Sequence, residues 1–220
     1  MEDKQSTINA TGTIVFPTHC GPESIRRLKP DLPFDPPLVD AIVSMTKPPE
    51  SGPTPVYLGA KIHTEMKKSG FGKTKSLVSN IPRDRSWIIG VYESDHWSAV
   101  SIDWQDVKIG YYDPNNFRAK EQRGKVTDVS TNPSFFLSKA HVLFQRIQKW
   151  IEHICDGNAC RVWDVVWRFG PLQDKGDAVN CGVFTTLTLC RWLYAREVED
   201  QVGDPIKYRK EFVALVSKRL

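Results

Sequence analysis

The sequence predicts an α+β domain in which a central mixed or antiparallel sheet packs on a buried helix, with further helices around it. Three observations carry this. Three strand-like runs follow one another from Ser86, in "SWIIGVYE", "HWSAVSIDW" and "VKIGYYD", rich in β-branched and aromatic residues and parted by short polar breaks. A run that is apolar on nearly all sides, "CGVFTTLTLCRWLYA", begins at Cys181 behind a polar loop. An amphipathic helix is marked by Phe136, Ala140, Leu143, Phe144, Ile147, Trp150 and Ile154 on one face.

Along the chain, proline punctuates the first fifty residues, in "LKPDLPFDPPL" and "TKPPESGPTP", with one short helix-like segment, "LVDAIVSM", between them. Residues 1–37 therefore read as a Pro-rich arm and 38–220 as the domain it wraps. "PVYLGAKIHTEMKKSG" has Leu58, Ile62 and Met66 at helical spacing before a Gly-rich stop. The three strands form a meander, and the amphipathic helix comes after the polar loop "PNNFRAKEQRGKVTDVSTNP". "RVWDVVWRF" is a further strand, and a basic amphipathic helix from about Lys207 ends the chain.

The totals exclude several classes of function. With 220 residues, 40% hydrophobic and 25% charged, the chain has the composition of one soluble domain with an extra arm. No stretch approaches the roughly 18 apolar residues of a spanning helix, and "MEDKQSTINATG" lacks the basic start and apolar middle of a secretory signal. An intracellular place, nucleus or cytoplasm, with no membrane contact, is expected. Five cysteines at irregular spacings argue for a reducing compartment. The net charge of +4 comes from scattered residues, so nothing motivates nucleic-acid binding. "CDGNAC" holds Cys155 and Cys160 without a second pair, a weak zinc signal, so no metal and no cofactor is expected, and the chain reads as a monomer.

The last two strands of the meander set two polar residues face to face. Closing them with a tight turn at Trp104 and Gln105 pairs Ile102 with Val107, Val100 with Ile109, Ser98 with Tyr111 and His96 with Asp113. All eight side chains share one face, apolar except at its far end. Opposed Cβ atoms lie roughly 4.5 to 5.5 Å apart, within reach for an imidazole and a carboxylate to bond. Taken alone, a histidine at a strand start can be a satisfied core residue, and Asp before Pro is a common turn former.

Cys181 gives the pair a chemical use. If the helix it begins packs on the sheet with its N-terminus at the His96 edge, the three residues form a Cys-His-Asp triad. A cysteine attacks as thiolate, and a helix N-terminus and an adjacent imidazolium both lower its pKa. Asp113 would hold the imidazole in the useful tautomer. Free amides at the helix start can bind a developing oxyanion, and Gly182 leaves room for a substrate backbone. Cys190, about 180° round the helix, reads as a core residue.

The ordered set "HWSAVSIDW", "YYDPN" and "NCGVF", the His96-to-Asp113 interval, "DRSWIIGVYESDHWS" and "PVYLGAKIHTEM" together resemble the SUMO protease family (Ulp/SENP), cysteine peptidases that process ubiquitin-like proteins. The resemblance runs from about Leu38 to about Tyr194. It implies a papain-like, adenain-type cysteine protease fold, a ubiquitin-like modifier and its conjugates as partners, and cleavage after a C-terminal Gly-Gly. His96, Asp113 and Cys181 are then catalytic, with Trp97, Gly182 and Asn180 on the substrate side. Trp97 would cover a narrow tunnel for glycines; because it lies on the strand face opposite His96, a structural role is the alternative.

Three positions depart from the family pattern. The oxyanion glutamine, expected six residues before the nucleophile, is Lys175, and the nearest glutamine is Gln173, which a longer loop could present. Asn180 stands where an aspartate is usual. The family's "WL" has no counterpart around "FDPPLVD". Two further readings therefore stand beside a peptidase: a domain that grips a modifier with little turnover, and an acyltransferase using the same triad.

Overall fold

The computed structural model describes residues 7–8, 14–15, 20–46, 54–68, 70–115, 126–127, 139–157, 162–168, 170–174, 176–194 and 203–217. The strands are β1 (Thr7–Ile8), β2 (Ile14–Val15), β3 (Val56–Tyr57), β4 (Trp87–Glu93), β5 (His96–Asp103), β6 (Lys108–Tyr112), β7 (Val126–Thr127) and β8 (Asp164–Trp167). The helices among the described residues are α1 (Pro22–Arg26), α2 (Pro36–Met45), α3 (Ala60–Lys68), α4 (Phe71–Val78), α5 (Lys139–Ile154), α6 (Cys181–Leu193) and α7 (Pro205–Ser217). β1 and β2 form a small pair, and the other strands form one mixed sheet in the order β3-β4-β5-β6-β8-β7. The β4-β5-β6 meander is antiparallel, while β3 joins β4 and β8 joins β6 in parallel. This is the expected α+β architecture.

Alternation along the strands divides the core in two. One face carries Ile89, Val91, Val100, Ile102, Ile109 and Val165 and packs on α3, α4 and α5 through Ile62, Val78, Leu143, Ile147 and Trp150. The other carries Ile88, Trp97, Ala99 and Tyr112 and is covered by α6, α2 and α7. Every residue of α6 except Arg191 is buried, which is why it is apolar on all sides. Each fully buried Leu or Phe there contributes about 1.5 to 3 kcal/mol.

The β5-β6 register differs from the sequence expectation. Ile102 faces Ile109, and Val100 faces Tyr111, a shift of two residues. The connection is a wider turn over Trp104–Val107 because Asp103 accepts from the backbone N–H groups of Gln105 and Asp106, both at 3.1 Å, and Val107 takes a left-handed φ of 55°. Trp104 leaves the turn apex to pack edge-on against Trp87 and Trp163, with centroids at 4.7 and 5.5 Å. A shift of two keeps every side chain on its face, so the two-sided core is unaffected.

Two other elements depart from expectation. "PVYLGAKIHTEMKKSG" divides into strand β3 and helix α3, with Gly59 turning the chain at φ 79° and the buried Asp40 carboxylate accepting from the Ala60 N–H at 2.9 Å. Gly70, read as a stop, is instead the N-cap of α4, whose buried Thr74 accepts from the Trp150 indole. Phe136 lies outside the described residues; Leu143, Phe144, Ile147, Trp150 and Ile154 do face the core from α5.

From Cys20 onward the arm is packed into the domain through Leu28 and Phe34. Asp35 caps α2 by accepting from the Leu38 N–H at 3.1 Å, with Pro36 at the first helical position. Phe34, just before it, is 1% exposed beside α6. No described helix is long and apolar enough to cross a membrane.

Candidate active site

His96 opens β5 immediately after a two-residue hairpin turn. Ser94 and Asp95 have φ of 52° and 58°, the mirror-image turn whose twist suits adjoining strands, and Asp95 is pinned by the Tyr92 hydroxyl at 2.9 Å. Across the sheet, His96 Nε2 lies 2.8 Å from Asp113 Oδ1. Because of the wider β5-β6 turn, the contact is diagonal: His96 and Asp113 are not direct partners in the ladder, and the longer reach is spanned by the side chains. Asn115 takes the place opposite His96, with its amide nitrogen 3.4 Å from Nδ1.

Asp113 is held from two further directions. Its Oδ2 accepts from the Tyr111 hydroxyl at 3.2 Å, and its Oδ1 accepts from the Asn115 backbone N–H at 2.9 Å. The pair remains open to solvent, the two side chains being 26% and 21% exposed. Burial lowers the His96 pKa, but hydrogen bonds to Asp113 and to the Cys181 thiol, and the charge on both, outweigh it and raise the value to about 9.

Cys181 meets this edge from the opposite core. It is the first residue of α6 and 3% exposed, and its side chain lies close enough to the imidazole to help raise the His96 pKa. The N–H groups of Val183 and Phe184 turn back to the Asn180 carbonyl, at 3.0 and 3.2 Å. The Cys181 and Gly182 amides stand at the helix start, where no preceding turn supplies acceptors. His96, Asp113 and Cys181 are therefore brought together at the mouth of a buried helix.

The remaining sequence candidates are placed differently from their expected roles. A Cβ on Gly182 would come within 2.7 Å of the Phe34 Cβ and 3.0 Å of Trp97 Cδ1. The space left by its missing side chain is thus filled by the protein itself, not kept for a substrate backbone. Trp97 is fully buried and donates its indole N–H to the Phe34 carbonyl at 2.9 Å, the structural placement of the two the sequence left open. Asn180 does not face a substrate either: its Nδ2 donates to Asp177 Oδ2 at 2.9 Å, and its Oδ1 accepts from Arg209 Nε and Nη2.

Gln173 is fully buried, with its backbone N–H bonded to the Pro114 carbonyl at 3.0 Å, one residue beyond Asp113. Its side-chain Nε2 donates to the Asp177 carbonyl. The Asp177 carboxylate in turn accepts from the Val179 and Asn180 N–H groups at 3.0 and 3.1 Å. These bonds tie Gln173 to residues 176–180, which lead to Cys181. Lys175 lies outside the described residues.

Four residues of the site escaped sequence reading: Phe34, Tyr111, Asp177 and Arg209. Asp177 is an aspartate four positions before the helix start, and Tyr111 shares the predicted face of Asp113; Phe34 and Arg209 carried no signal. Among the described residues there is no cluster of three or more His, Cys, Asp or Glu able to hold a metal; Cys160 lies outside them. Cys190 is in the core, accepting from the Thr46 hydroxyl at 3.2 Å.

No protein-family model matches the sequence, and no curated protein matches it. Solved structures do resemble it. The SUMO protease Ulp1 with its catalytic cysteine oxidised to a sulfonic acid superposes with a TM-score of 0.68 at 13% identity, covering 89% of this chain and 83% of that one. The C-terminal Ulp1 protease domain in complex with Smt3, the yeast ortholog of SUMO, gives 0.66 at 15% identity over 89% of this chain and 81% of that one. The catalytic domain of the Chaetomium thermophilum Ulp1-like SUMO protease gives 0.57 at 13% identity over 84% and 72%. The chain has the fold of the Ulp1 protease domain.

Proposed function

We propose that this protein is a thiol peptidase that hydrolyses the peptide or isopeptide bond after the C-terminal Gly-Gly of a ubiquitin-like modifier, SUMO first among them. One observation carries the reading: the His96 imidazole bonds Asp113 at 2.8 Å and is raised to a pKa of about 9 by Asp113 and by Cys181, which stands at the start of a buried helix. The choice of substrate rests on the fold it shares with Ulp1, whose protease domain is known in complex with Smt3.

With Nε2–H held by Asp113, His96 Nδ1 is the nitrogen that takes the thiol proton. The thiolate attacks the carbonyl carbon, and the developing oxyanion is met by the Cys181 and Gly182 N–H groups. As the tetrahedral intermediate collapses, the imidazolium returns the proton to the leaving amine. His96 then takes a proton from water as that water attacks the thioester, freeing the modifier's carboxylate and the thiol. Gln173 supports the loop through the Asp177 carbonyl, and would reach an oxyanion only by releasing it.

That tie favours one alternative, a domain that binds a modifier with little turnover. A panel of modifiers bearing C-terminal electrophiles separates the two. The peptidase reading expects an adduct of one modifier mass on Cys181, absent from Cys181→Ala, and cleavage of the matching conjugate. Micromolar binding without adduct or cleavage establishes the binding domain instead, and neither binding nor adduct with any modifier under reducing conditions rejects both.

A further inference from the structure

The C-terminal helix reaches the site through one side chain. Arg209 of α7 is 3% exposed, and its guanidinium lies over the Phe34 ring, 4.8 Å from the centroid. Nε and Nη2 donate to Asn180 Oδ1 at 3.1 and 2.8 Å, Nη1 donates to the Arg27 and Lys29 carbonyls at 2.7 Å each, and Nη2 also donates to the Leu32 carbonyl at 2.8 Å. Every nitrogen is used, and every acceptor is a neutral oxygen. A cation buried without a carboxylate in contact is a poor source of stability, because desolvation opposes what the hydrogen bonds return. What it supplies is geometry: a planar fork that fixes four acceptors in one arrangement.

Those acceptors belong to only two parts of the molecule. Three are carbonyls of the arm, and the fourth is the side chain immediately before Cys181. From Asn180 the bonds continue to Asp177, then to the Gln173 amide, and through its backbone to the Pro114 carbonyl beside Asp113. One path therefore joins the sulfur-bearing helix to the carboxylate strand by a route that does not pass through His96.

We infer that Arg209 is a positioning residue: by clamping Asn180 to the N-terminal arm, it holds the start of α6 where the Cys181 sulfur meets His96. This rests on the reading of Cys181 as the nucleophile. It makes the arm from Arg27 to Phe34 and the C-terminal helix working parts of the active site.

The test is the rate of Cys181 alkylation by iodoacetamide against pH, read by peptide mass on the full chain, with melting temperature measured in parallel. Wild type is expected to react on a plateau through neutral pH, the mark of a thiolate paired with an imidazolium. In Arg209→Met and Asn180→Ala the neutral rate falls about 100-fold, the effect of displacing a reacting group by about 1 Å. The profile then reverts to a single rise near an ordinary thiol value of about 8.5. Asn180→Ala keeps the arm's bonds to Arg209 and serves if Arg209→Met does not fold. Val78→Ala, in the other core, should lower the melting temperature and leave the plateau in place.

Variants that melt lower yet keep the wild-type plateau would overturn the inference while leaving the nucleophile intact. An ordinary thiol profile in wild type would remove the nucleophile reading, and this inference with it. Iodoacetamide needs no modifier, so a wild-type plateau lost in the variants upholds Arg209 whether or not the modifier panel gives an adduct.

Discussion

Cys181 and Cys190 lie on the same helix, and both are buried, at 3% and 9% exposure. Their surroundings are opposite. Cys181, at the first position, lies beside an imidazole that carries its own carboxylate. Cys190, near the far end, accepts from the Thr46 hydroxyl, and burial pushes its pKa up to about 11. Burial alone makes a thiol inert; burial beside a paired base makes one usable. On the proposed reading, reactivity is decided by what the helix end meets, not by how much of the sulfur is covered.

The largest expected effect follows directly. Cys181→Ala should abolish conjugate cleavage, whereas Cys190→Ala should retain it; equal losses in a gel-based cleavage assay would erase the distinction between the two thiols. Asp113→Asn comes next, since it removes the charge that holds His96 and leaves one acceptor oxygen where the carboxylate has two. A fall in kcat/KM of roughly 10² to 10⁴ is expected, the range for general-base and triad losses.

The same variant changes the pH behaviour in a definite direction. A histidine raised in the folded state, here from 6.5 to about 9, contributes stability that is whole below about 6.5 and is lost as pH rises through 9. In Asp113→Asn that loss should move toward 6.5, which an NMR titration of the His96 ring together with unfolding at pH 6, 8 and 10 would measure.

Smaller effects sharpen the contrast between the helix ends. Gly182→Ala forces a methyl against Phe34 and Trp97, so a destabilisation of about 1 to 3 kcal/mol is expected from overpacking, with slower cleavage because the start of α6 must shift. Urea denaturation and steady-state kinetics on one preparation would test both parts. Cys190→Ala should cost about 1 kcal/mol through a small void and change kcat little. A large kcat loss there would mean that the far end of α6 governs the site.

Much of the site was legible because parity and chemistry are local. Alternating residues assigned His96, Val100, Ile102, Ile109 and Tyr111 to one face, and that assignment is insensitive to a slip of two. The apolar run from Cys181 could only be a buried helix. The exact partner across the hairpin was not legible, because turn length depends on Trp104 finding Trp87 and Trp163, contacts from outside the hairpin. Strand β3 was too short to show a period of two, and its pairing is with a strand 31 residues on, Val56 facing Trp87.

Sequence by itself determined which side of each strand and helix faces inward, and that a cysteine stands where an apolar helix meets a polar loop; these follow from periodicity, which each segment carries alone. Only the tertiary structure decided that Asp113 reaches His96 diagonally, that Phe34 and Trp97 close on Gly182, and that one arginine in the basic helix, Arg209, turns inward to the loop before Cys181. The physical reason is that hydrogen bonds between distant segments depend on how whole elements dock, and nothing in the neighbouring sequence distinguishes Arg209 from Lys207 or Lys210.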